Sequence, residues 1–480
     1  MLSIFTLPRG VPRATTGSKS VNITEPGKDA VRVNESLKRA VVPALVLGLL
    51  LCAPVVEAAV TIGATPYATI QNAIDASVAG DTIEVGAGTY AENLVINGGG
   101  AKEITINGVG SGSDDASNTI IDGITGQTII IRAGGTAAGQ RVILSNLRVT
   151  GGVGAGNVGM GIQIGGGADI SHITIDNVSS VGNGGHGIGL NHTFAMDDLV
   201  ISQSLVADND GAGIRFPTSL SSLGTVDVSD TTIQDNLGIG FISYSPGTIS
   251  ITDSTFSGNA TNLHTGGDLV LTSFDSGSVT LDNVSITSDN ADCAIRISPN
   301  HDGGTPRYGI GGATISMTDV TISGTQFKNG TYASAAIYLS RMKDLAPADI
   351  TFNNVVINST ADHGLWLGTI TDSTLDLDGE VNFSGGTFAQ YSIAQGRHGD
   401  TGSTSYGLSN ADVLADGLGL TEADVYDNED DPSLGSITLV QAAVPALSVW
   451  GMIMLALLLA VSVSAKLDTH VPSSSSGASS

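Results

Sequence analysis

The sequence predicts an all-β chain wound as a right-handed parallel β-helix, a solenoid closed at its N-terminal end by a short helix. Three observations predict it. A phrase recurs: Ile173-Thr-Ile175-Asp-Asn-Val178, then Asn183, then Gly187-Ile188-Gly-Leu190, with Ile201, Asn209 and Gly213-Ile214-Arg215-Phe216 following, and Val228, Asn236 and Gly238-Ile239-Gly-Phe241 after them. With Ile175 as marker, its equivalents are Ile201, Val228, Ile251, Leu281, Met317 and Phe352, at steps of 26, 27, 23, 30, 36 and 35 residues. A repeat of this length means stacked units, none of which buries its apolar side alone. Within each unit the apolar residues alternate with polar ones over three to five positions, separated by Asn, Gly, Asp and Ser, which is the pattern of short strands and tight turns. The units leave no room for a helix in each, so two or three strands per turn stack in parallel, and parallel crossovers are right-handed. Asn183, Asn209, Asn236, Asn259 and, near it, Asn290 mark a turn where asparagine tolerates left-handed backbone and its amides stack as a ladder.

Composition agrees. Sixty-four glycines and 4% aromatics suit many turns around a slim aliphatic core. A net charge of −27 excludes an electrostatic nucleic-acid binder. Seven of the 19 basic residues precede residue 58, so the rest of the chain is more acidic still. Of the two cysteines, Cys52 lies in a segment expected to be removed, which leaves Cys293 without an intramolecular partner.

Taken in order, residues 1–58 read as a leader and secretory signal. Lys38-Arg39 precede an apolar run from Ala40 to Val56, with small residues up to Ala58, after which cleavage is expected. A start downstream of Met1, or retention of the run as an anchor, stays open. Residues 59–386 carry the solenoid. Ile70, Ala73 and Ile74 share one helical face in a stretch that ends at Gly80, and a helix there covers the open end of the stack. Asp81 to Val85 follows as a strand.

The run Ala68-Thr-Ile-Gln, Ala73-Ile-Asp, Gly80-Asp-Thr-Ile and Gly88-Thr-Tyr-Ala-Glu-Asn93, with Thr119-Ile-Ile-Asp-Gly123 downstream, resembles the opening of pectin-lyase-like right-handed β-helix proteins. The resemblance implies that fold from Ala59 to Gly386. It leaves activity open, because that superfamily includes lyases, hydrolases, esterases, epimerases, adhesins and non-catalytic surface proteins.

Residues 387–443 read as an acidic linker, with eight acids and no base between Ser409 and Ser436. The cluster Asp427 to Asp431 invites a calcium ion, yet it lacks the glycine of a loop site. Residues 444–466 form an apolar run of nearly membrane-spanning length. Its start, Val444-Pro-Ala-Leu-Ser-Val-Trp-Gly451, resembles the IPTL-type C-terminal sorting signal of Gram-negative bacteria, with Val449 where that signal has an acid and Lys466 in place of an arginine cluster. The resemblance implies a C-terminal sorting enzyme as partner, a stay in the inner membrane, and export to the cell envelope or beyond. A plain C-terminal anchor is the other reading. Residues 467–480 read as a disordered tail.

Chemistry in a solenoid sits where outward side chains of neighbouring coils line up. In the Gly-Ile-x-Leu strand the x residues are Gln163, Gly189, Arg215, Gly240, then, beyond a coil that does not align, Arg296, Tyr338 and Trp366. Arg296, Tyr338 and Trp366 are expected as one exposed stack able to face a sugar chain, with Asp292, Asp362 and His363 on the same edge. A cross-strand cation–π pair on a solvated face is the alternative. Asp292 and Asp362, on alternate coils, are the candidate catalytic carboxylates of a glycoside hydrolysis; Arg296, Tyr338, Trp366 and His363 are the candidate substrate-binding residues. Gly185-His186-Gly187 and Asp289-Asn-Ala-Asp292-Cys293 resemble polygalacturonase fragments, but in reversed order and without that family's other elements. No zinc spacing, calcium nonapeptide, phosphate loop or nucleophile elbow is present, so no cofactor is expected beyond a possible calcium ion. Cys293, two residues before Ile295, is expected to share its inward face as a buried thiol.

The readings are therefore an exported, non-catalytic surface or secreted β-helix protein, adhesive, structural or glycan-binding, and, as the alternative, a lyase or glycoside hydrolase acting on uronic-acid polymers. A polysaccharide or cell-surface glycan is the expected partner.

Overall fold

The computed structural model describes residues 59–97, 102–166, 170–190, 195–217, 222–244, 247–260, 267–272, 277–289, 291–298, 313–326, 334–340, 349–368, 374–376, 381–382, 386–395 and 438–440. The expected leader, the C-terminal apolar run and the expected tail lie outside them. Strands in this body stack in three parallel ladders, one strand of each ladder per coil. The first ladder runs through Thr82–Val85, Thr105–Asn107 and on to Asp349–Asn353, the second through Gly88–Tyr90 and Thr119–Asp122 to Thr321–Thr325 and residues 356–360, the third through Leu94–Ile96 and Ile129–Ile131 to Ala335–Ser340 and residues 361–368. This is a parallel β-helix.

The marker residues fall in strict register along the first ladder: Ile175 opposite Ile201, then Val228, Ile251, Leu281, Met317 and Phe352. All are buried. Alternation explains why. One coil turns Leu199 and Ile201 inward from the first ladder, Val206 from the second and Ile214 and Phe216 from the third, each fully buried. Each such side chain contributes roughly 1.5–3 kcal/mol relative to exposure, and the columns from successive coils merge into one core.

The corner between the first and second ladders is a single left-handed residue per coil: Asn146, Asn177, Gln203, Asp230, Asp253, Asn283, Asp319 and Asn354, with φ between 49° and 56°. Short polar side chains tolerate this region best. The next residue points inward, and on three coils it is a buried hydroxyl. Val178 N–H donates to Ser204 Oγ, Ser204 N–H to Thr231 Oγ1 and Thr231 N–H to Ser254 Oγ, at 3.2–3.4 Å.

At the corner after the second ladder the expected asparagine ladder is present. Asn183 Nδ2 donates to Asn209 Oδ1 (2.9 Å), Asn209 Nδ2 to Asn236 Oδ1 (2.8 Å) and Asn236 Nδ2 to Asn259 Oδ1 (2.8 Å). Asn290 lies outside the described residues. The left-handed backbone, however, is not on the asparagines. It is one residue earlier, on Gly182, Asp208, Asp235 and Gly258, and this turn frees each asparagine to lie in the core. Gly161, Gly187, Gly213 and Gly240 make room for them: a Cβ at each would stand 2.5–2.9 Å from the Nδ2 of Asn183, Asn209, Asn236 and Asn259 respectively. That fixes Gly240 as a spacer before the third-ladder strand, not a member of its outward column. The residue opposite Arg215 is Ile242, and the coil that resisted alignment supplies Val270.

The N-terminal end is closed as expected, by α1 (Ile70–Ala76), which buries Ile70, Ala73 and Ile74. Thr69 caps it, and both oxygens of Glu92 accept from the first-turn N–H groups of Ile70 and Gln71 at 3.1 Å. Gln71 also bonds both the N–H and the C=O of Val95, as a neighbouring strand would. Lys102 Nζ donates to the Ile74 and Ser77 carbonyls at the other end of the helix. The sequence did not reveal the antiparallel hairpin Val60–Ile62 and Thr65–Tyr67, whose first strand pairs with Thr82–Val85. Asn93 ties the next coil by donating to the Thr125 and Gln127 carbonyls at 2.7 and 2.6 Å. The Glu-Asn pair of the opening motif therefore does structural work.

At the far end the third ladder runs past residue 386, since Thr387–Gln395 pairs with residues 360–367, and Thr438–Val440 pairs with Thr374–Asp376. Among the described residues no helix is long and apolar enough to cross a membrane.

Candidate functional site on the third ladder

The outward column of the third ladder is, in register, Gln163, Gly189, Arg215, Ile242, Val270, Arg296, Tyr338 and Trp366. Arg296, Tyr338 and Trp366 do stack. The Arg296 guanidinium lies 5.9 Å from the Tyr338 ring centroid, and the Tyr338 and Trp366 rings meet edge to face at 5.5 Å. His363 joins them, its ring 5.0 Å from that of Trp366.

The expected exposure is overturned. Tyr338 is 3% exposed, Trp366 5% and His363 5%. Tyr338 and Trp366 form a second apolar cluster with Cys293 and Ala335, separate from the main core. Cys293 accordingly belongs with the outward rings and not on the inward face of Ile295; the expected two-residue parity fails because Ala294, between them, joins the inner core. Burial, reinforced by the Asp292 charge, pushes the Cys293 thiol well above its ordinary range.

Asp292, Ser334 and Asp362 precede three residues that stand in register, Cys293, Ala335 and His363, so the two candidate carboxylates are two coils apart with Ser334 between. At about 4.8 Å per coil their backbones are roughly 10 Å apart. Asp362 is engaged by that serine: Ser334 N–H and Oγ both donate to Asp362 Oδ2 (2.9 and 3.3 Å), and Asp362 N–H donates to Ser334 Oγ (2.9 Å). Asp292 is buried at 3% exposure, and its carbonyl accepts from Ala335 N–H at 2.9 Å. The arrangement ties three coils together at the edge of the ring stack.

A second group on the same face joins Arg215 of the outward column to His186 of the Gly-His-Gly fragment, a pairing that the sequence did not indicate. Arg215 donates to Asn157 Oδ1 at 2.9 Å and lies 5.9 Å from the Tyr244 ring, while His186 Nδ1 accepts from Ala212 N–H at 2.8 Å. Burial, then the Arg215 charge, lowers the His186 pKa to about 4, so the ring is neutral at physiological pH. Its flanking glycines are steric: a Cβ on Gly185 would stand 2.2 Å from the Gly156 carbonyl oxygen, and one on Gly187 2.5 Å from Val206. The Gly-His-Gly fragment is a close-packed turn.

A third polar group, on the first ladder, joins Asp198 to both Arg141 and His172. Arg141 also donates to Thr174 Oγ1 and the Ile173 carbonyl at 2.6 and 2.7 Å. Burial and the Asp198 charge raise the neighbouring Asp227 carboxyl above its ordinary value. Among the described residues, no three His, Cys, Asp or Glu side chains are placed to hold a metal ion; the acidic cluster at 427–431 lies outside them.

No protein-family model matches the chain, and no curated protein matches it. Among solved structures it is similar to pectate lyase Pel9A, with a TM-score of 0.39 and 16% identity over 76% of this chain and 84% of that one. It is also similar to the catalytic unit of a thermostable GH87 α-1,3-glucanase from Streptomyces thermodiastaticus strain HF3-3, with a TM-score of 0.28 and 17% identity over 70% and 65%. At these values neither transfers a site or an activity.

Proposed function

We propose that this chain is an exported β-helix protein of the cell envelope or exterior that performs no turnover, its right-handed stack acting as a structural or adhesive body. One observation carries the reading. The residues best suited to a sugar platform are packed against one another, Tyr338 and Trp366 against Cys293, Ala335 and His363, and Asp362 is bound by Ser334. Side chains used in this way hold coils together. The basic and apolar run before Ala59 supports export, and the run from Val444 to Lys466 supports at least transient membrane insertion and handling by a sorting enzyme.

The test is a glycan-array and polymer-degradation screen of the purified full chain, with and without calcium. The expected result is no release of unsaturated or reducing ends. Release that Asp292→Asn or Asp362→Asn abolishes would overturn the proposal in favour of a polysaccharide lyase or hydrolase. Glycan retention without turnover, weakened by Trp366→Ala in protein that stays folded, would select a sugar-binding module.

A further inference from the structure

The last rung of the first ladder comes from a segment far along the chain. Each coil passes through the first, second and third ladders in turn, and a connection then returns the chain from the third to the first: Ser298 to Ala313 on one coil, Ser340 to Asp349 on another. The strands that follow keep this order. Thr374–Asp376 continues the first ladder, Val381–Asn382 the second and Thr387–Gln395 the third, and Thr438–Val440 then pairs in parallel with Thr374–Asp376 as one more rung of the first. Residues 396–437 therefore stand, in chain order, where the lower coils have their return connection. Leu375 and Leu439 fall in register with Ile350, so this file keeps an aliphatic residue at every rung from Ile173 onward.

The acidic stretch from Ser409 to Ser436 thus lies between two rungs of the solenoid, and not between the solenoid and the apolar run. Only Gln441, Ala442 and Ala443 separate the last rung from that run. From Val440 to Val444 a fully extended chain reaches at most about 14 Å. This limit is covalent and holds for any conformation of the residues between.

The other end of the stack is remote. Eleven successive pairings lead along the first ladder from Thr82–Val85 to Thr438–Val440. At about 4.8 Å for each step, the end closed by α1 is roughly 50 Å from the last rung. Charge acts in the same sense. Beyond residue 58 lie 42 of the 46 acidic residues but only 12 of the 19 basic ones, and an anionic lipid surface repels flanks of that composition within a Debye length of about 8 Å.

We propose that the far end of the solenoid, with Thr438–Val440 as its last rung, is the surface that meets a lipid bilayer, and that the body stands on this end with α1 directed away from it. The proposal rests on the reading that the run from Val444 to Lys466 inserts into a membrane. Three spacer residues leave no free tether on which the body could turn end for end. The coils around α1 are then the part held out from the bilayer.

The test uses the chain exported by a Gram-negative host, in a Cys52→Ser background that keeps the buried Cys293, reconstituted into vesicles of phosphatidylethanolamine and phosphatidylglycerol. A fluorophore is attached at Val78→Cys, just past α1 and 67% exposed, or at Asn358→Cys, an exposed position of the second ladder near the far end. Energy transfer to an acceptor on the lipid headgroups is then read. Transfer from the Asn358→Cys site is expected to exceed that from the Val78→Cys site severalfold. A long Gly-Ser segment inserted after Ala443 is expected to remove most of the difference without changing the fraction of chain bound to vesicles. Equal transfer from the two sites in bound chain, or larger transfer from Val78→Cys, as an anchor retained at Ala40 to Val56 would give, overturns the standing orientation and leaves insertion of the run intact. A difference undiminished by the Gly-Ser segment overturns the proposal that the last rung holds the body in place. A chain that does not bind the vesicles overturns the insertion reading itself, and this proposal with it.

Discussion

The coils that carry Asn183 to Asn259 and the coils above them, from Gly277 to Gly368, share one backbone register but stabilise it differently. The lower coils step by 23–27 residues and carry two buried polar ladders whose members are fully bonded to one another. The upper coils step by 30–36 residues, place valine where the hydroxyl ladder ran, follow an amide ladder whose Asn259 donates to the Asp268 carboxylate just below them, and stack aromatic rings on the outside. The inward apolar column is continuous through both. Register in this solenoid is therefore set by the alternating aliphatic residues, and polar ladders are an added specification where the coils are shortest.

The sharpest way to break the comparison is Asn209→Ala. It orphans the main-chain and side-chain N–H groups of Asn183 and the oxygens that Asn209 served, so a loss of order 5 kcal/mol is expected in urea unfolding. Trp366→Ala probes the upper coils, where packing and not hydrogen bonding is removed, with an expected loss of about 3–5 kcal/mol. If Trp366→Ala is silent while Asn209→Ala is severe, the ring stack holds nothing together and the proposed structural role of that face fails.

Two titrating groups divide along the same line, with opposite sign. His186, held to about 4 against 6.5, contributes stability that is present above pH 6.5 and lost as pH falls through 4. Asp268, raised to about 6 from 3.8, contributes stability that is present below 3.8 and lost as pH rises through 6. Each amounts to roughly 3 kcal/mol over its range. At constant ionic strength the wild-type chain should thus show a shallow pH profile between 4 and 6.5. His186→Asn keeps an acceptor for Ala212 and should leave stability falling with pH; Asp268→Asn should leave it rising. Parallel profiles for the two variants would refute both assignments.

The smallest effect tests the spacer glycines. Gly213→Ala places a Cβ 2.5 Å from the Gly240 carbonyl oxygen, with an expected loss of about 1–3 kcal/mol. Gly139→Ala meets nothing within 4 Å and should change stability by no more than about 0.5 kcal/mol.

Much of this architecture was legible in the chain. The marker column from Ile175 to Phe352, the asparagine ladder and the face of α1 follow from periodicity, because inward position and apolar character are the same constraint in a slim core. What periodicity does not encode is what lies over an outward residue. Arg296, Tyr338 and Trp366 read as a platform since alternation gives their direction, while the burial of Tyr338 and Trp366 depends on packing within a cluster that no spacing reports. Gly240 was misplaced because Gly-Ile-Gly-Phe mimics the strand phrase; its function is room for Asn259, visible only when two coils are superposed. The parity of Cys293 failed at Ala294 for a related reason, since a two-residue period holds only along an uninterrupted strand. Asp268 carried no sequence signal at all: it enters the ladder from outside the repeat position.

The closed N-terminal end gives the stack a direction. Gln71 occupies the main-chain groups of Val95 below the third ladder, and the first ladder ends in the hairpin strand Thr65–Tyr67, whose Pro66 lacks an N–H to offer a further strand. Among the described residues, the base of these two ladders therefore offers a second copy fewer main-chain groups to pair with, which disfavours head-to-tail growth along them from this end.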